Sequence, residues 1–283
     1  MRDPDAQTVI NAACPLCHGT ERTELARFPE LTWVSCRCGL IYKLSERASA
    51  VDPALYGESY FTEAHDYKRR HRRRIGKSRQ QILNALEYAP RGALLDIGCS
   101  VGYTLQAARD LGLDAAGTDV SDFATAECRR LGFRAATGTL QQLPFSDGEF
   151  AIVTMKHVLE HTADPRSALA EARRVLRPGG GLFIAIPDAR YRKAVRHPQG
   201  SNFYRPERGG SEHYVYYTPT TLTRLLDECG FEVRRVNPLL VQREAAPMAR
   251  LGQTLFAPLR APAQWLADAL HLRKEFWLVA LRR

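Results

Sequence analysis

The stretch Leu94-Leu-Asp-Ile-Gly-Cys-Ser-Val-Gly-Tyr-Thr-Leu105 decides the fold of this chain. Residues 93–97 form an apolar run that is long enough for a buried strand and too short for a helix. Gly98 and Gly102 then bracket a tight turn, where a Cβ atom would hold the backbone away from a ligand. A helical pattern begins at Tyr103, so the stretch predicts the strand, turn and helix that open a nucleotide-binding βαβ unit.

A carboxylate follows the next apolar run, at Asp119. An acidic residue about twenty positions beyond such a turn can accept hydrogen bonds from both hydroxyls of a ribose. The turn reads Asp-x-Gly-x-x-x-Gly over residues 96–102, which is not the G-x-G-x-x-G of dinucleotide enzymes. It resembles the D-x-G-x-G-x-G loop of class I S-adenosylmethionine-dependent methyltransferases, with Ser100 in place of the middle glycine.

Four later segments resemble the same family and come in the family's order. They are residues 138–145, 150–161, 174–188 and 217–233. The resemblance therefore covers about residues 92–238 and implies a methyltransferase that uses S-adenosylmethionine. By that resemblance, ten residues are expected to line the cofactor site: Asp96, Gly98, Cys99, Ser100, Gly102, Asp119, Val120, Thr139, Leu140 and Lys156.

The chain departs from the family's pattern at two positions. Thr139 and Ala151 stand where the family often carries aspartate. The first departure puts a side-chain contact to the adenine amine in doubt. Leu140 is expected beside the adenine ring.

Short apolar runs alternate with helical patterns through the central block, which predicts an α/β fold with a parallel, doubly wound sheet. The resemblance implies a Rossmann-like sheet of seven strands that ends in an antiparallel hairpin, with strands at about 231–238 and 275–281. Ligands of such sheets bind at the carboxyl ends of the strands.

Two close cysteine pairs lie near the N-terminus, Cys14 with Cys17 and Cys36 with Cys38. In a cytosolic protein this spacing favours a small zinc ribbon with a structural ion over disulfides. The alternative is a relic ribbon without metal. The second pair is one residue shorter than the usual C-x-x-C, which could distort the site or recruit His18.

A ribbon ahead of a methyltransferase core resembles bacterial proteins from polysaccharide and natural-product gene clusters. It also resembles ribosomal-RNA guanine methyltransferases. The predicted domains are the ribbon at 1–44, a linker and helical lid at 45–91, and the cofactor-binding domain at 92–283, with insertions at about 188–212 and 243–272.

The net charge of the chain is +9, which is favourable for binding an anionic partner. It is equally explained by an arginine-rich proteome, without any such partner. The basic run Lys68–Arg74 is either a phosphate-binding face for RNA or a solvated helix face. Leucines at helical spacing in 243–272 fit core packing, a homodimer face or a membrane-surface face. No transmembrane segment or signal peptide is expected, which favours the cytoplasm.

Four residues are candidates for catalysis: His157, His161, His213 and Tyr217. If the acceptor is a hydroxyl, a general base assists, and histidine suits neutral pH. His157 is the first candidate because it ends the predicted fourth strand. With Glu160, the three histidines could instead hold a divalent metal, as in small-RNA 2′-O-methyltransferases with a related pattern. The alternative is that Glu160 and His161 form a helix-capping pair, as the same Glu-His pair looks in metal-free relatives.

Three functions remain open on the sequence. The first is methylation of a small molecule, at a hydroxyl of a sugar or secondary metabolite. The second is methylation of RNA, with the ribbon and Lys68–Arg74 gripping phosphates. The third is a scaffold protein that binds the cofactor and transfers no methyl group.

Overall fold

Two β-sheets organise the chain. The computed structural model describes residues 12–45, 56–64, 71–205, 212–238 and 274–283. One sheet has seven strands and leads into the glycine turn, and the other has four strands and leads into the cysteine pairs.

Eleven strands and six α-helices are described. The strands are β1 (Arg22–Phe28), β2 (Leu31–Cys36), β3 (Ile41–Ser45), β4 (Leu94–Ile97), β5 (Ala115–Asp119), β6 (Arg134–Thr137), β7 (Phe150–Lys156), β8 (Leu176–Pro187), β9 (Val215–Tyr216), β10 (Phe231–Pro238) and β11 (Glu275–Arg282). The helices are α1 (His71–Leu86), α2 (Tyr103–Asp110), α3 (Asp122–Arg130), α4 (Pro165–Val175), α5 (Arg192–Arg196) and α6 (Pro219–Glu228).

The larger sheet has the order β10-β11-β8-β7-β4-β5-β6. The pairs from β8 to β6 are parallel, and β11 runs antiparallel to both β8 and β10. This confirms the predicted seven-stranded α/β sheet with a terminal antiparallel hairpin. After β4 the chain adds β5 and β6 on one side of β4, and then β7 on the opposite side of β4. The carboxyl end of β4 is therefore the switch point where an open α/β sheet binds its ligand.

Helices cover both faces of this sheet because each carries one apolar stripe. On one face, Ile82 of α1 and Ala108 of α2 pack with buried residues such as Phe183 of β8. On the other, Leu169 of α4 and Leu225 of α6 belong to the main core. Each of these side chains is at most 1% exposed.

Strand β8 has twelve residues and begins at Leu176, ahead of its glycines. A run of three glycines, which is typical of a turn, continues here as extended chain. Leu176 pairs with Phe150 and Gly181 pairs with Ile152, so the extra residues form an irregularity in the ladder. Gly181 is needed there because a Cβ would lie 2.5 Å from the Cβ of Ala89.

The smaller sheet has the order β1-β2-β3-β9, so its last strand comes from the second half of the chain. The ring of Trp33 in β2 is fully buried and lies 5.0 Å from that of Tyr216 in β9. Cys14 and Leu16 belong to the same hydrophobic cluster as the core beneath the larger sheet. The ribbon is thus packed on the rest of the chain over a continuous apolar contact.

Several predicted segments fall wholly or partly outside the described residues. The predicted insertion at 243–272, with its helical leucines, is entirely outside. So are residues 68–70 of the basic run and most of the predicted linker. The predicted insertion at 188–212 is described up to residue 205 and contains the short helix α5. No helix in the described ranges is long and apolar enough to cross a membrane.

Candidate functional site

The turn after β4 uses three left-handed residues in five positions. Gly98 has φ +74°, Ser100 has φ +51° and Gly102 has φ +86°. A Cβ on Gly98 would lie only 2.4 Å from the Cγ2 atom of Val158. The sequence places a serine where the turn needs a positive φ, which costs free energy that a glycine would not. This turn, called the cradle below, therefore packs closely against Val158 and has no room for a side chain at residue 98.

The carboxylate of Asp119 ends β5 beside this cradle. Its Oδ2 accepts the backbone N–H of Ser100 at 2.8 Å, and its Oδ1 accepts that of Ser121 at 3.0 Å. Burial raises the pKa of Asp119, although these N–H donors oppose the shift. A carboxylate has about four acceptor positions, and the backbone N–H of Val120 also acts on this one, so at least one position remains for a hydroxyl group of a ligand.

Asp96 lies below the cradle and is only 4% exposed. Its Oδ1 accepts a short hydrogen bond from the hydroxyl of Thr154 on the adjacent strand. Burial raises its pKa to about 7, against the opposing effects of Thr154, Thr104 and Lys156.

We expect Asp96→Asn to change how stability depends on pH. The raised pKa means that the folded chain keeps a proton which the unfolded chain loses near pH 3.8. The contribution of Asp96 to the free energy of unfolding should therefore fall from about pH 4 to about pH 7, by about 1.4 kcal/mol per pKa unit. In urea unfolding across this range, the stability of the wild type relative to Asp96→Asn should decrease as the pH rises. Parallel profiles would contradict the assigned pKa.

The other predicted cofactor residues lie around the same rim or beneath it. Cys99 is buried, with its Sγ atom 3.8 Å from that of Cys128. Thr139 is exposed and Leu140 packs partly on the core, both in the segment after β6. Lys156 ends β7, and burial lowers its pKa.

Helix α1 turns part of its basic run towards this rim. The guanidinium of Arg74 lies 5.6 Å from the ring centre of Tyr103, the first residue of α2. Arg74 and Lys77 are also close enough to Lys156 to lower its pKa by charge repulsion. The exposed side chains in the described part of the run are His71 and Arg72.

His157 follows β7 with a left-handed backbone, φ +52°. Its Nδ1 lies 3.1 Å from Oε1 of Glu160, and its Nε2 lies 3.2 Å from Oε2 of Glu275. Burial alone would lower the pKa of His157, but the two carboxylates outweigh it and raise the pKa to about 9. At neutral pH the imidazole is therefore a cation held between two anions.

A second cluster lies one turn further along the chain. One ligating atom each of Glu160, His161 and His213 lies within 4.8 Å of the other two. The rings of His161 and His213 meet edge to face, with centres 4.5 Å apart. The backbone N–H of Tyr214 donates to the carbonyl of Glu160 at 2.7 Å, which joins the segment before β9 to the turn after β7.

Hydrogen bonds fix the tautomers of both histidines. The Nδ1 of His161 lies 3.2 Å from the carbonyl oxygen of Glu212, which can only accept. The Nδ1 of His213 lies 2.8 Å from the hydroxyl of Tyr216, which itself donates to the carbonyl of Phe203. In the neutral form of each ring, Nδ1 therefore carries the proton and Nε2 keeps the lone pair.

Tyr56 connects this cluster to the cofactor cradle. Its carbonyl accepts a hydrogen bond of 2.6 Å from the hydroxyl of Ser121, next to Asp119. Its own hydroxyl donates to the carboxylate of Glu212 at 3.3 Å. The backbone carbonyl of the same residue, Glu212, orients His161. The sequence predicted only that Tyr56 belongs to the linker and helical lid at 45–91.

Tyr217, the fourth predicted catalytic residue, is placed differently. Its side chain is 1% exposed and belongs to the main core. Burial raises the pKa of its hydroxyl far above the usual range.

The four cysteine thiols of the ribbon converge although the second pair is short. The Sγ atoms of Cys14 and Cys38 are 3.6 Å apart, and those of Cys17 and Cys36 are 3.4 Å apart. Zinc–sulfur bonds of about 2.3 Å place tetrahedral ligands about 3.8 Å from each other. The group within mutual reach consists of these four thiols and does not include His18.

Comparisons with known proteins agree with this geometry. The family model described as a methyltransferase domain matches residues 67–236. The ubiquinone biosynthesis O-methyltransferase of Methylococcus capsulatus is 28% identical over 203 residues, which are 67% of this chain and 85% of that protein. An uncharacterized 37.1 kDa protein in transposon TN4556 of Streptomyces fradiae is 36% identical over 115 residues. That match spans 38% of this chain and only 33% of the relative.

A solved structure shares the fold. It is the complex between the Haloferax volcanii Trm112 methyltransferase activator and a methyltransferase, with a TM-score of 0.56 and 18% sequence identity. The match covers 79% of this chain and 96% of the other. At this identity the likeness shows the fold alone.

Proposed function

We propose that this chain, which belongs to the methyltransferase domain family and is an S-adenosylmethionine-dependent methyltransferase, methylates an oxygen atom of a small molecule such as a sugar or secondary metabolite. One observation carries the proposal. Glu160, His161 and His213 lie at the edge of the sheet that bears the glycine cradle, and Tyr56 connects the two. The O-methyltransferase relative from Methylococcus capsulatus supports oxygen as the acceptor atom.

The cradle and Asp119 suit the cofactor. Gly98 allows the tight turn after β4 that brings the backbone N–H of Ser100 to Asp119, and Asp119 keeps acceptor capacity for the ribose hydroxyls. We assign the half-buried Leu140 to the adenine face. Cys99 and Asp96 then act from beneath, by supporting the turn.

S-adenosylmethionine supplies a methyl group on a sulfonium, which is already activated for transfer. The protein's task is to align the acceptor oxygen with that carbon, exclude water and handle the acceptor's proton. His157 is poorly suited to take that proton, because both of its nitrogens face carboxylates. We therefore assign acceptor activation to Glu160, His161 and His213.

We expect His161→Ala to reduce methyl transfer by at least about 100-fold while the affinity for S-adenosylhomocysteine stays within a few-fold. Purified protein, cell extract and methyl-labelled cofactor, analysed by mass spectrometry, would identify the product and give the rate. His18→Ala, at the ribbon, is the matched control. Equal rates for the two variants and the wild type would remove His161 from the reaction.

Methylation of RNA remains the alternative, with the basic part of α1 on the phosphates. Affinity for RNA should then fall linearly with the logarithm of salt concentration, whereas a neutral small acceptor should respond little. The inward position of Arg74 and Lys77 supports a role at the crevice instead. A chain that binds cofactor yet labels nothing in the extract would be the scaffold protein.

We also propose that Cys14, Cys17, Cys36 and Cys38 bind one structural zinc ion. Four thiolates leave no open position, so the ion stabilises the ribbon and takes no part in transfer. With this ion, the chain divides into the ribbon at 1–44, the segment 45–91 and the cofactor-binding part at 92–283.

A further inference from the structure

We infer that Glu160, His161 and His213 form a binding site for one divalent transition-metal ion with open coordination positions. The binding itself is independent of the proposed function. The role given below for the ion rests on that function.

The first argument is the unpaired oxygen of Glu160. The side chain is fully buried, and its Oε1 is paired with His157. Its Oε2 has no hydrogen-bond partner. A buried carboxylate oxygen without a partner carries a large desolvation cost, and an ion is one of the few groups that would offset it.

The second argument is the orientation of the two histidines. Metal-binding histidines usually donate the other ring N–H to a carbonyl or another oxygen, which fixes the ring and its tautomer. His161 and His213 both do so, through Glu212 and Tyr216. An aromatic pair packed only for its apolar area would not need both bonds.

The third argument is distance. The three ligating atoms lie within 4.8 Å of one another, whereas a tetrahedral ion with bonds of about 2.0–2.1 Å needs about 3.3 Å between them. Small side-chain rotations close that gap. Two imidazoles and one carboxylate favour zinc, cobalt or iron over magnesium, and three protein ligands leave positions for an acceptor.

The surrounding charges permit a cation. Both nitrogens of the neighbouring His157 are already paired, one with Glu160 and the other with Glu275. A further carboxylate, that of Glu212, accepts from Tyr56, and the carbonyl of the same residue faces His161. His157 is thus a positioning residue: it occupies Oε1 of Glu160 and leaves Oε2 for the ion.

The ion would activate the acceptor. A hydroxyl coordinated at an open position releases its proton to solvent more easily. Its oxygen then forms a bond to the methyl carbon while the carbon–sulfur bond breaks, and that electron pair stays on sulfur. No oxidant or reductant is required.

Cobalt(II) titration of the full chain, with zinc already in the ribbon, tests the site. We expect one additional cobalt per chain, with visible ligand-field absorption and without the sulfur-to-cobalt charge transfer that a thiolate site gives. His161→Ala, His213→Ala and Glu160→Gln should each weaken binding at least tenfold. His197→Ala, at an exposed histidine outside the cluster, should leave it unchanged.

S-adenosylhomocysteine affinity, measured on the same samples, shows that each variant is folded. No cobalt beyond the ribbon, or equal affinity in cluster variants that bind this ligand normally, would overturn the inference and leave the proposed function standing. Normal cobalt binding by a chain that methylates nothing would instead reject the proposed function and keep the site.

Discussion

Gly98→Ala should abolish binding of S-adenosylmethionine and of its demethylated product, with affinity reduced by at least about 100-fold. Two effects combine. The new Cβ would lie 2.4 Å from Val158, and alanine is strained at φ +74°. The turn must shift to relieve the contact. Because the backbone N–H of Ser100 in this turn donates to Asp119, the shift also displaces the carboxylate of Asp119. A hundredfold loss corresponds to about 2.8 kcal/mol of binding free energy.

Calorimetry with S-adenosylhomocysteine measures this effect. Gly112→Ala is the matched control, since Gly112 also has a left-handed φ, +71°, but has open space around the added Cβ. That variant should lose some stability and keep its affinity. If Gly98→Ala bound the ligand as tightly as Gly112→Ala, the cofactor would have to bind elsewhere.

Loss of the ribbon zinc should unfold the N-terminal sheet and weaken the whole chain. Cys14→Ser removes a buried ligand that lies in the main hydrophobic cluster. Structural zinc ions contribute much of the folding free energy of small lobes. A loss of several kcal/mol would lower Tm by on the order of 10 °C in a chain of this size.

Three measurements report this change. Bound zinc should fall from one ion per chain to none, Tm should fall, and the fluorescence of the buried Trp33 should shift to the red as its ring separates from that of Tyr216. Cys229→Ser is the control, because Cys229 is a half-buried free thiol after α6 and outside the ribbon. Zinc-free wild type with unchanged Tm would show that the thiols serve another purpose.

The sheet could be predicted from the sequence because its signals are local. The strands β4, β5 and β7 coincide with short apolar runs, and Gly98 lies directly after the first of them. The hairpin strand β10 has the bounds 231–238 that the family resemblance implied. The signals for β4, β5 and β7 each depend on a few adjacent residues.

The acceptor side of the site could be predicted only in part, because its partners are distant along the chain. The sequence indicated His161 and His213 as candidates for catalysis and, with His157 and Glu160, for a divalent metal. The hydrogen bond between His157 and Glu275 joins residues that are 118 positions apart, and no local sequence pattern indicates it. The same holds for Tyr216, which orients His213 and belongs to a strand of only two residues.

The short strand β9 has a consequence for how the reaction's two partners are held. Val215 and Tyr216 pair with Tyr42 and Ile41 of β3. The ribbon therefore fixes the backbone next to His213. Under the proposed function, the methyl donor and the acceptor are thus held by regions with separate structural supports. Damage to the ribbon would then disturb the acceptor side alone. Such a chain would still bind its methyl donor but would no longer position an acceptor for the transfer.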